Sequence, residues 1–391
     1  MSDVVIVAAQ RTAIGSFNGA FSAVSAPVLG AHAIKGAMDA AKVDVNSVDE
    51  VLMGCVLPAG VGQAPARQAA MGAGLALHTP CTTISKVCGS GMRAIMSGFD
   101  AIKAGSASVV IAGGMESMTN APYILPKARS GYRYGHGEVL DHMALDGLQN
   151  AADRRPMGEF GEMCADKESF SRADQDSFAT MSVQRAQAAL ASGAFTAEVV
   201  PVTVAGRKGD VIVASDEEPG NCDISKITSL KPAFKKDGSV TAASSSKISD
   251  GAAALVLMSA EHAKATGTAA LAKICAHANH AQAPEWFTTA PIGAIEKVVK
   301  KAGWTLQDVD LFEINEAFAV VTMAAIKGLA LDPAKVNVNG GACALGHPIG
   351  ASGARIVVTL IHALRARGLK RGVASLCIGG GEATALAVEL V

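Results

Sequence analysis

Short runs of Val, Ile, Leu and Ala recur along the chain, each separated from the next by an Ala-rich stretch of helical length. Residues 4–9, 51–56 and 109–112 carry no charged side chain, which predicts strands buried on both faces of a sheet. Residues 252–258 form another such run, and all are far too short to span a bilayer. Residues 28–41 and 90–104 read as helices, the first interrupted by Gly and the second stopped by Gly105. Strands alternating with helices predict an α/β fold with a parallel sheet and crossover helices.

The pattern echoes itself. Ser90-Gly91-Met92-Arg93 opens a helix leading to the strand 109–112 and then Gly113-Gly114-Met115-Glu116. Ser352-Gly353-Ala354-Arg355 opens another, leading through Ala374-Ser375-Leu376-Cys377 to Gly379-Gly380-Gly381-Glu382. Two related halves would explain the match; coincidence in a Gly- and Ala-rich chain is the competing reading. Between them, from 119 to about 240, the character changes, with Pro122, Pro126, Pro156, Pro201, Pro219 and Pro232 and a larger share of the charge. One clear helix, 172–191, starts from Ser171 with Asp174 three positions on, an acidic capping box. Residues 226–236 are basic. The segment reads as an inserted loop domain carrying a binding surface.

Composition narrows the function. The 391 residues allow two or three domains, and with half of them hydrophobic but only 4% aromatic, small aliphatic residues must supply the core. A formal net charge of −1 with no run of Lys or Arg excludes a nucleic-acid surface of the usual basic kind. The first strand starts at once, with no charged leader or signal-like segment before it, and Glu389-Leu390-Val391 is no peroxisomal signal. Eight cysteines without framework spacing point to a reducing compartment, with the cytoplasm expected.

The candidate chemistry lies in glycine-dense turns. Cys88, in Lys86-Val87-Cys88-Gly89-Ser90-Gly91, falls between residues 80–87, which read as a strand, and the helix at 90–104. Unpaired N–H groups at a helix N-terminus favour a thiolate, which can bring a thiol from ~8.5 down to roughly 3.5–7.5. Gly89 and Gly91 are expected to let a substrate carbonyl approach the backbone. The plain alternative is a structural Cys on a tight turn. Gly89-Ser90-Gly91-Met92-Arg93-Ala94 also matches G-x-G-x-x-A, with Glu116 after the next strand, so a nicotinamide-dependent oxidoreductase is a remote alternative.

His347 stands between Gly346 and Pro348, and the proline holds it extended. Rigid placement suits a general base, although a lone His is more often simply packed. Cys343 nearby reads as a small core residue. Cys377 leaves a strand into three glycines, Gly379, Gly380 and Gly381, whose N–H groups can converge on an oxyanion. Asn315 can hold a water or an oxyanion without changing charge, and Glu316 either joins it or caps the helix that follows. No Cys or His spacing fits a metal site, so none is expected.

Together these blocks resemble the thiolase family over essentially the whole chain. The resemblance rests on residues 5–15, 86–95, 113–118, 250–253, 315–319, 337–355 and 377–382, in that order. It implies a thiolase-like five-layered α-β-α-β-α fold of two similar halves. The N-terminal domain would be 1–118 plus 244–270, the loop domain 119–243 and the C-terminal domain 271–391. The ketoacyl synthases share that fold but pair one Cys with two His, or with His and Asn, so Cys377 in Cys-x-Gly-Gly-Gly favours thiolase.

The activity implied is reversible condensation of two acetyl-CoA to acetoacetyl-CoA and CoA, with the CoA thioesters as substrates and no cofactor. Cys88, activated by His347, would be acetylated, and Cys377 would take the α-proton of the second acetyl-CoA. Asn315 would place a water that, with His347, steadies the thioester oxygen, while the N–H groups of Cys88 and Gly379 form the other oxyanion hole. Ser246 would meet the pantetheine, and Leu148, Met157, Phe234, Ala243, Ala317 and Phe318 would line the tunnel, with Phe287 as a wall at its acyl end.

The chain departs from the family pattern at Pro156, where short-chain relatives often carry His, and at Pro219, where an Arg is expected. Arg207, Lys208 or Lys226 would then serve the CoA phosphates, against the plainer reading of solvated charges. The stretch 123–143 resembles the tetramer-forming segment, which implies a homotetramer built as a dimer of dimers. A broader-chain 3-ketoacyl-CoA thiolase is the nearest alternative, and a non-enzymatic acyl-CoA-binding protein a further one.

Overall fold

The computed structural model describes residues 3–206 and 209–391. Its main strands are Val4–Thr12 (β1), Glu50–Gly54 (β2), Cys81–Ile84 (β3), Val109–Ser117 (β4), Ser249–Ser259 (β5), Ala272–Ala281 (β6), Leu311–Ile314 (β7), Arg371–Ile378 (β8) and Glu382–Leu390 (β9). The helices of eight residues or more are Ala26–Ala41 (α1), Pro65–Gly72 (α2), Ser90–Ala104 (α3), Met157–Glu168 (α4), Arg172–Ala191 (α5), Ala290–Lys301 (α6), Ala319–Leu329 (α7) and Ser352–Arg367 (α8).

Hydrogen bonding runs in the order β7-β8-β9-β6-β1-β5-β4-β2-β3. The path is two sheets meeting at a corner, because β1 and β6 share only the pairs Val5–Lys273 and Ile6–Ala272. On either side of the corner the same arrangement repeats. In the N-terminal half β2 runs parallel to β4, β4 antiparallel to β5, and β5 antiparallel to β1. In the C-terminal half β7, β8, β9 and β6 repeat those three pairings with the same directions. Each sheet is therefore mixed rather than parallel throughout, because a hairpin or a long return brings an antiparallel strand beside each crossover pair.

Five layers follow from what each face buries. α1 and α2 cover the outer face of the first sheet, with Leu29 and Ile34 packed on Val51, Ile111 and Val256. α6 and α7 cover the outer face of the second, around Ile295, Val298, Phe312 and Val373. α3 and α8 lie between the sheets, where Met92, Ile95, Ile356 and Leu360 meet Ile6 and Leu255 from one side and Leu376 and Val388 from the other. Every residue of α8 from Ser352 to Leu364 is buried, as a helix covered on all sides requires.

The repeated Ser-Gly-x-Arg openings have a reciprocal steric cause. A Cβ on Gly91 would sit 2.9 Å from the Ala354 nitrogen, and one on Gly353 would run into the backbone nitrogen of Met92. Each glycine thus admits the other half's helix at its N-terminus.

Element boundaries shift where hydrogen bonds are taken by other partners. The strand expected at 51–56 stops at Gly54, because the N–H groups of Val56 and Leu57 donate to the Glu116 carboxylate at 3.0 and 3.1 Å. The strand at 109–112 continues to Ser117 instead of ending at its glycines. A Cβ on Gly113 or Gly114 would collide with the carbonyls of Ala253 and Gly350, so the glycines serve close backbone packing inside β4. The capping box at Ser171 and Asp174 forms as expected. Among the described residues no helix is long and apolar enough to cross a membrane.

Candidate active site

β3 delivers the chain to Lys86, and α3 takes it up at Ser90, so Cys88 sits on a turn of residues 85–89. Val87 adopts φ +44°, a left-handed conformation that costs a β-branched residue about 1–3 kcal/mol. The Ser90 hydroxyl holds the turn in place: its Oγ donates to the Val87 carbonyl at 2.7 Å and accepts the Lys86 N–H at 2.8 Å. Cys88 is half-buried as a residue, and its sulfur faces the Gly379 N–H of the C-terminal half. Gly89 and Gly91 do not open space for substrate: a Cβ on Gly89 would run into Ile378, and one on Gly91 would lie 3.0 Å from the Gly350 carbonyl. The same crowding leaves no phosphate cradle. Glu116, the acid that a ribose would need, is fully buried against the N–H groups of Val56, Leu57 and Gly350. The oxidoreductase reading is set aside on both counts.

β8 ends at Ile378, one residue past the buried Cys377, and the turn into β9 needs its glycines. Gly380 and Gly381 have φ of +96° and +88°, and a Cβ on Gly381 would lie 2.5 Å from the Gln282 carbonyl. This turn carries the Gly379 N–H to the Cys88 sulfur, where it joins the N–H of Cys88 itself. The side chains of Lys86 and Glu382 pair across the same gap, tying the two turns together.

His347 is aimed by three backbone features. Gly346 takes φ +108°, Pro348 follows, and the His347 N–H donates to the Lys247 carbonyl at 3.0 Å. Its Nδ1 lies 2.5 Å from Ser352 Oγ, and its Nε2 lies 3.5 Å from the side-chain nitrogen of Asn315. Asn315 is buried, its own N–H donates to the Ser375 carbonyl at 3.0 Å, and its Oδ1 has no protein partner. Glu316 does not cap the helix that follows it, since α7 starts only at Ala319. Its carboxylate accepts from Ser182 Oγ at 2.7 Å, Asn337 Nδ2 at 2.8 Å and the Cys343 N–H at 3.1 Å, which braces the Asn315 turn against the His347 loop.

Electrostatics reverse one expectation. Burial pushes the Cys88 thiol up to about 11, and Glu116 adds to the rise, while the N–H groups of Gly379 and Cys88 only partly offset it. The helix N-terminus does not produce a resting thiolate, because desolvation of the charged form outweighs it. Burial, then the charge of Arg355, bring His347 down to about 3, so its imidazole is neutral. Burial raises Cys377 well above its ordinary value, and Cys88 raises it further. The resting pair is therefore thiol and neutral imidazole, and a proton must move as the sulfur attacks.

A cavity of about 560 Å³ opens beside His347, and Leu148, Met157, Phe234, Ser246 and Phe318 line it. The other three expected residues are buried in apolar clusters. Ala243 packs with Val183, Ala344 and Leu345. Ala317 and Phe287 join Phe160, Phe318 and Cys377 in an apolar cluster, where the Phe160 and Phe287 rings meet edge to face at 6.3 Å. Pro156 lines the cavity. Pro219 is buried and its carbonyl accepts from Gln187 at 2.8 Å. Lys226 is mostly exposed and paired with Asp223 at 3.1 Å. Arg207 and Lys208 lie outside the described residues. Sequence reasoning passed over Lys247 and Ser352; a Lys beside an expected substrate-binding Ser was the signal for the first, and a hydroxyl five residues after the His for the second.

Two duplicated α/β halves that meet over a sulfur, each supplying part of what surrounds it, form the architecture of the condensing-enzyme class. Within that class the comparisons are specific. The thiolase N-terminal domain model matches residues 4–261 and the thiolase C-terminal domain model residues 268–390. An acetyl-CoA acetyltransferase of Schizosaccharomyces pombe is 50% identical over 100% of this chain and 99% of its own. One from Escherichia coli is 50% identical with the same coverage. The crystal structure of the Bacillus anthracis acetyl-CoA acetyltransferase superposes with a TM-score of 0.98 at 42% identity, covering 100% of this chain and 99% of that one. The chain belongs to the thiolase family.

Proposed function

We propose that this protein is an acetyl-CoA C-acetyltransferase that condenses two acetyl-CoA to acetoacetyl-CoA and CoA, and runs the thiolysis in reverse. Relatives of that name match it end to end at about half identity. The observation that carries the mechanism is the pair of N–H groups, one from each half, directed at the Cys88 sulfur; a neutral His347 supplies the base.

In the first step Cys88 Sγ attacks the acetyl-CoA carbonyl as its proton passes to His347 Nε2. The S–C bond to CoA breaks, and the leaving CoA thiolate takes the proton of Cys377. Acetyl-Cys88, a protonated His347 and a Cys377 thiolate remain. The second acetyl-CoA then loses its α-proton to Cys377, whose burial makes its thiolate a strong base. The resulting enolate oxygen is met by protonated His347 and by a water on Asn315. The carbanion attacks acetyl-Cys88 while the Cys88 and Gly379 N–H groups hold the developing oxyanion. Cys88 leaves as thiolate and recovers its proton from His347, so all three groups return to their resting states.

The test is peptide mass spectrometry after brief incubation with acetyl-CoA, on wild type and Cys377→Ala. One acetyl group on Cys88 in both is expected; no adduct on Cys88 in either overturns the acyl-enzyme. The Phe160–Phe287 pair, in one apolar cluster with Cys377, supports a short acyl chain over the broader-chain activity, and rates across chain lengths decide between them.

The segment 119–243 serves as a loop domain inserted within the N-terminal half, 1–118 plus 244–270, and 271–391 forms the C-terminal half. Within it Tyr123, Leu125, Tyr132, Tyr134 and Val139 are exposed, which supports tetramer formation through this segment. All eight cysteines are free thiols, which supports a cytoplasmic location.

A further inference from the structure

The serines that open the two central helices occupy matching places in the two halves, and each is bonded to one of the turns that carry the chemistry. Ser90 clamps the Cys88 turn through Val87 and Lys86. Ser352 reaches the imidazole itself. We propose that Ser352 is a positioning residue that holds His347 in the Nδ1–H tautomer, leaving the Nε2 lone pair free to take the Cys88 proton.

The argument is a count of protons. A hydroxyl has one to give, and Ser352 Oγ gives it to the Pro348 carbonyl at 2.9 Å. The same oxygen, 2.5 Å from His347 Nδ1, must then accept, so Nδ1 carries the hydrogen. A neutral imidazole has a single N–H, which leaves Nε2 bare. The side-chain nitrogen of Asn315, 3.5 Å from Nε2, is a donor and suits a bare Nε2. The opposite tautomer would turn the Ser352 hydroxyl away from Pro348 and set an Nε2–H against the Asn315 side-chain N–H, two donors face to face. It would also leave nothing on Nε2 to accept the thiol proton.

The placement is rigid as well as chemical. Ser352 is fully buried in the first turn of α8, a helix enclosed by both sheets, and its bond to Pro348 fixes the residue that follows His347. Arg355, one turn along the same helix, opposes a charge on the imidazole but makes no bond to it that could set the tautomer.

The inference rests on His347 being the base of the proposed reaction, and two readouts separate it from that reading. The first is the ¹⁵N spectrum of histidine-labelled wild-type protein. It is expected to show a protonated Nδ1 and a bare Nε2 for His347, identified by its loss in His347→Ala; a protonated Nε2 overturns the proposal whether or not the protein is an acetyltransferase. The second is Ser352→Ala. Single-turnover acetylation of Cys88 is expected to slow on the order of a hundredfold with KM for acetyl-CoA within about twofold, as for a displaced catalytic group. Acetylation at the wild-type rate in folded Ser352→Ala overturns it. If that variant does not fold, the wild-type spectrum decides alone.

Discussion

The two halves share a strand order and a central helix, yet they make different use of the same place in the fold. In the N-terminal half, β3 is a full strand and only residues 85–89 lie between it and α3. In the C-terminal half the corresponding strand shrinks to one parallel bridge between Phe312 and Val336, and residues 337–351 separate it from α8. The short link is strained and holds one group, Cys88. The long one holds His347 on a loop braced by Glu316 and Glu116. Duplication supplied the scaffold; the chemistry lies where the copies diverge.

The strongest way to break this division of labour is to remove each sulfur in turn. Cys88→Ala is expected to abolish turnover while CoA still binds, because the acyl acceptor is gone and the cavity walls are untouched. Cys377→Ala is expected to acetylate Cys88 and stop there. Steady-state assays with calorimetric CoA binding check the first, and quenched-flow acetylation the second. Normal condensation by Cys377→Ala would show that the two thiols do not divide the work.

The next test concerns the resting state of the N-terminal turn. A thiol held at about 11 has a thiolate fraction that grows about tenfold per pH unit until that value is reached. Alkylation of Cys88 by iodoacetamide, read by peptide mass spectrometry, is therefore expected to accelerate by about a thousandfold from pH 6 to 9 without levelling. A plateau near pH 7 would mean that the helix N-terminus outweighs burial after all. Cys377, raised by burial and by Cys88, is expected to lag behind it at every pH.

These two tests mark what was legible in the chain and what was not. The apolar runs point to the buried strands, and the glycine-dense turns to Cys88, His347 and Cys377, because local spacing records backbone shape; Asn315 is marked only by the chemistry of its amide. Desolvation is not local. Nothing near Cys88 in the chain tells that Ile378 closes over Gly89 or that the Glu116 charge acts on the thiol, so the helix N-terminus alone gives its charge state the wrong sign. Val87 at φ +44° was equally hidden, since sequence marks left-handed positions only where glycine takes them. That Ala243 packs on Val183 and Leu345, and Phe287 on Phe160, is equally non-local, because what a side chain meets depends on elements far away in the chain.

Smaller effects sharpen the contrast within the C-terminal turn. Gly381→Ala places a Cβ on a left-handed residue 2.5 Å from the Gln282 carbonyl, and should cost about 1–3 kcal/mol in denaturant unfolding. Gly379→Ala meets only the Met157 sulfur at 3.6 Å and the Val87 side chain at 3.8 Å, so its stability is expected to stay near wild type. Its methyl group would nevertheless stand beside the N–H that faces Cys88, so kcat should fall without a loss of fold. Equal destabilisation by both substitutions would mean that the turn is uniformly crowded rather than shaped at Gly381.

The smallest expected effect on stability belongs to the Lys86–Glu382 pair, the one ion pair joining the two catalytic turns among those the structure describes. Both side chains are part-exposed, so Glu382→Gln should change unfolding free energy by under about 1 kcal/mol. Catalysis is a finer gauge than stability here, because the pair spans the gap across which the Gly379 N–H must reach the Cys88 sulfur. A few-fold loss in the rate of Cys88 acetylation is expected, reproduced in wild type by raising the salt concentration and insensitive to salt in the variant. Reversing the charges together, Lys86→Glu with Glu382→Lys, should recover part of the rate. If salt slows wild type and Glu382→Gln alike, the two turns are aligned by packing alone, and Ile378 against Gly89 becomes the contact that registers one half on the other.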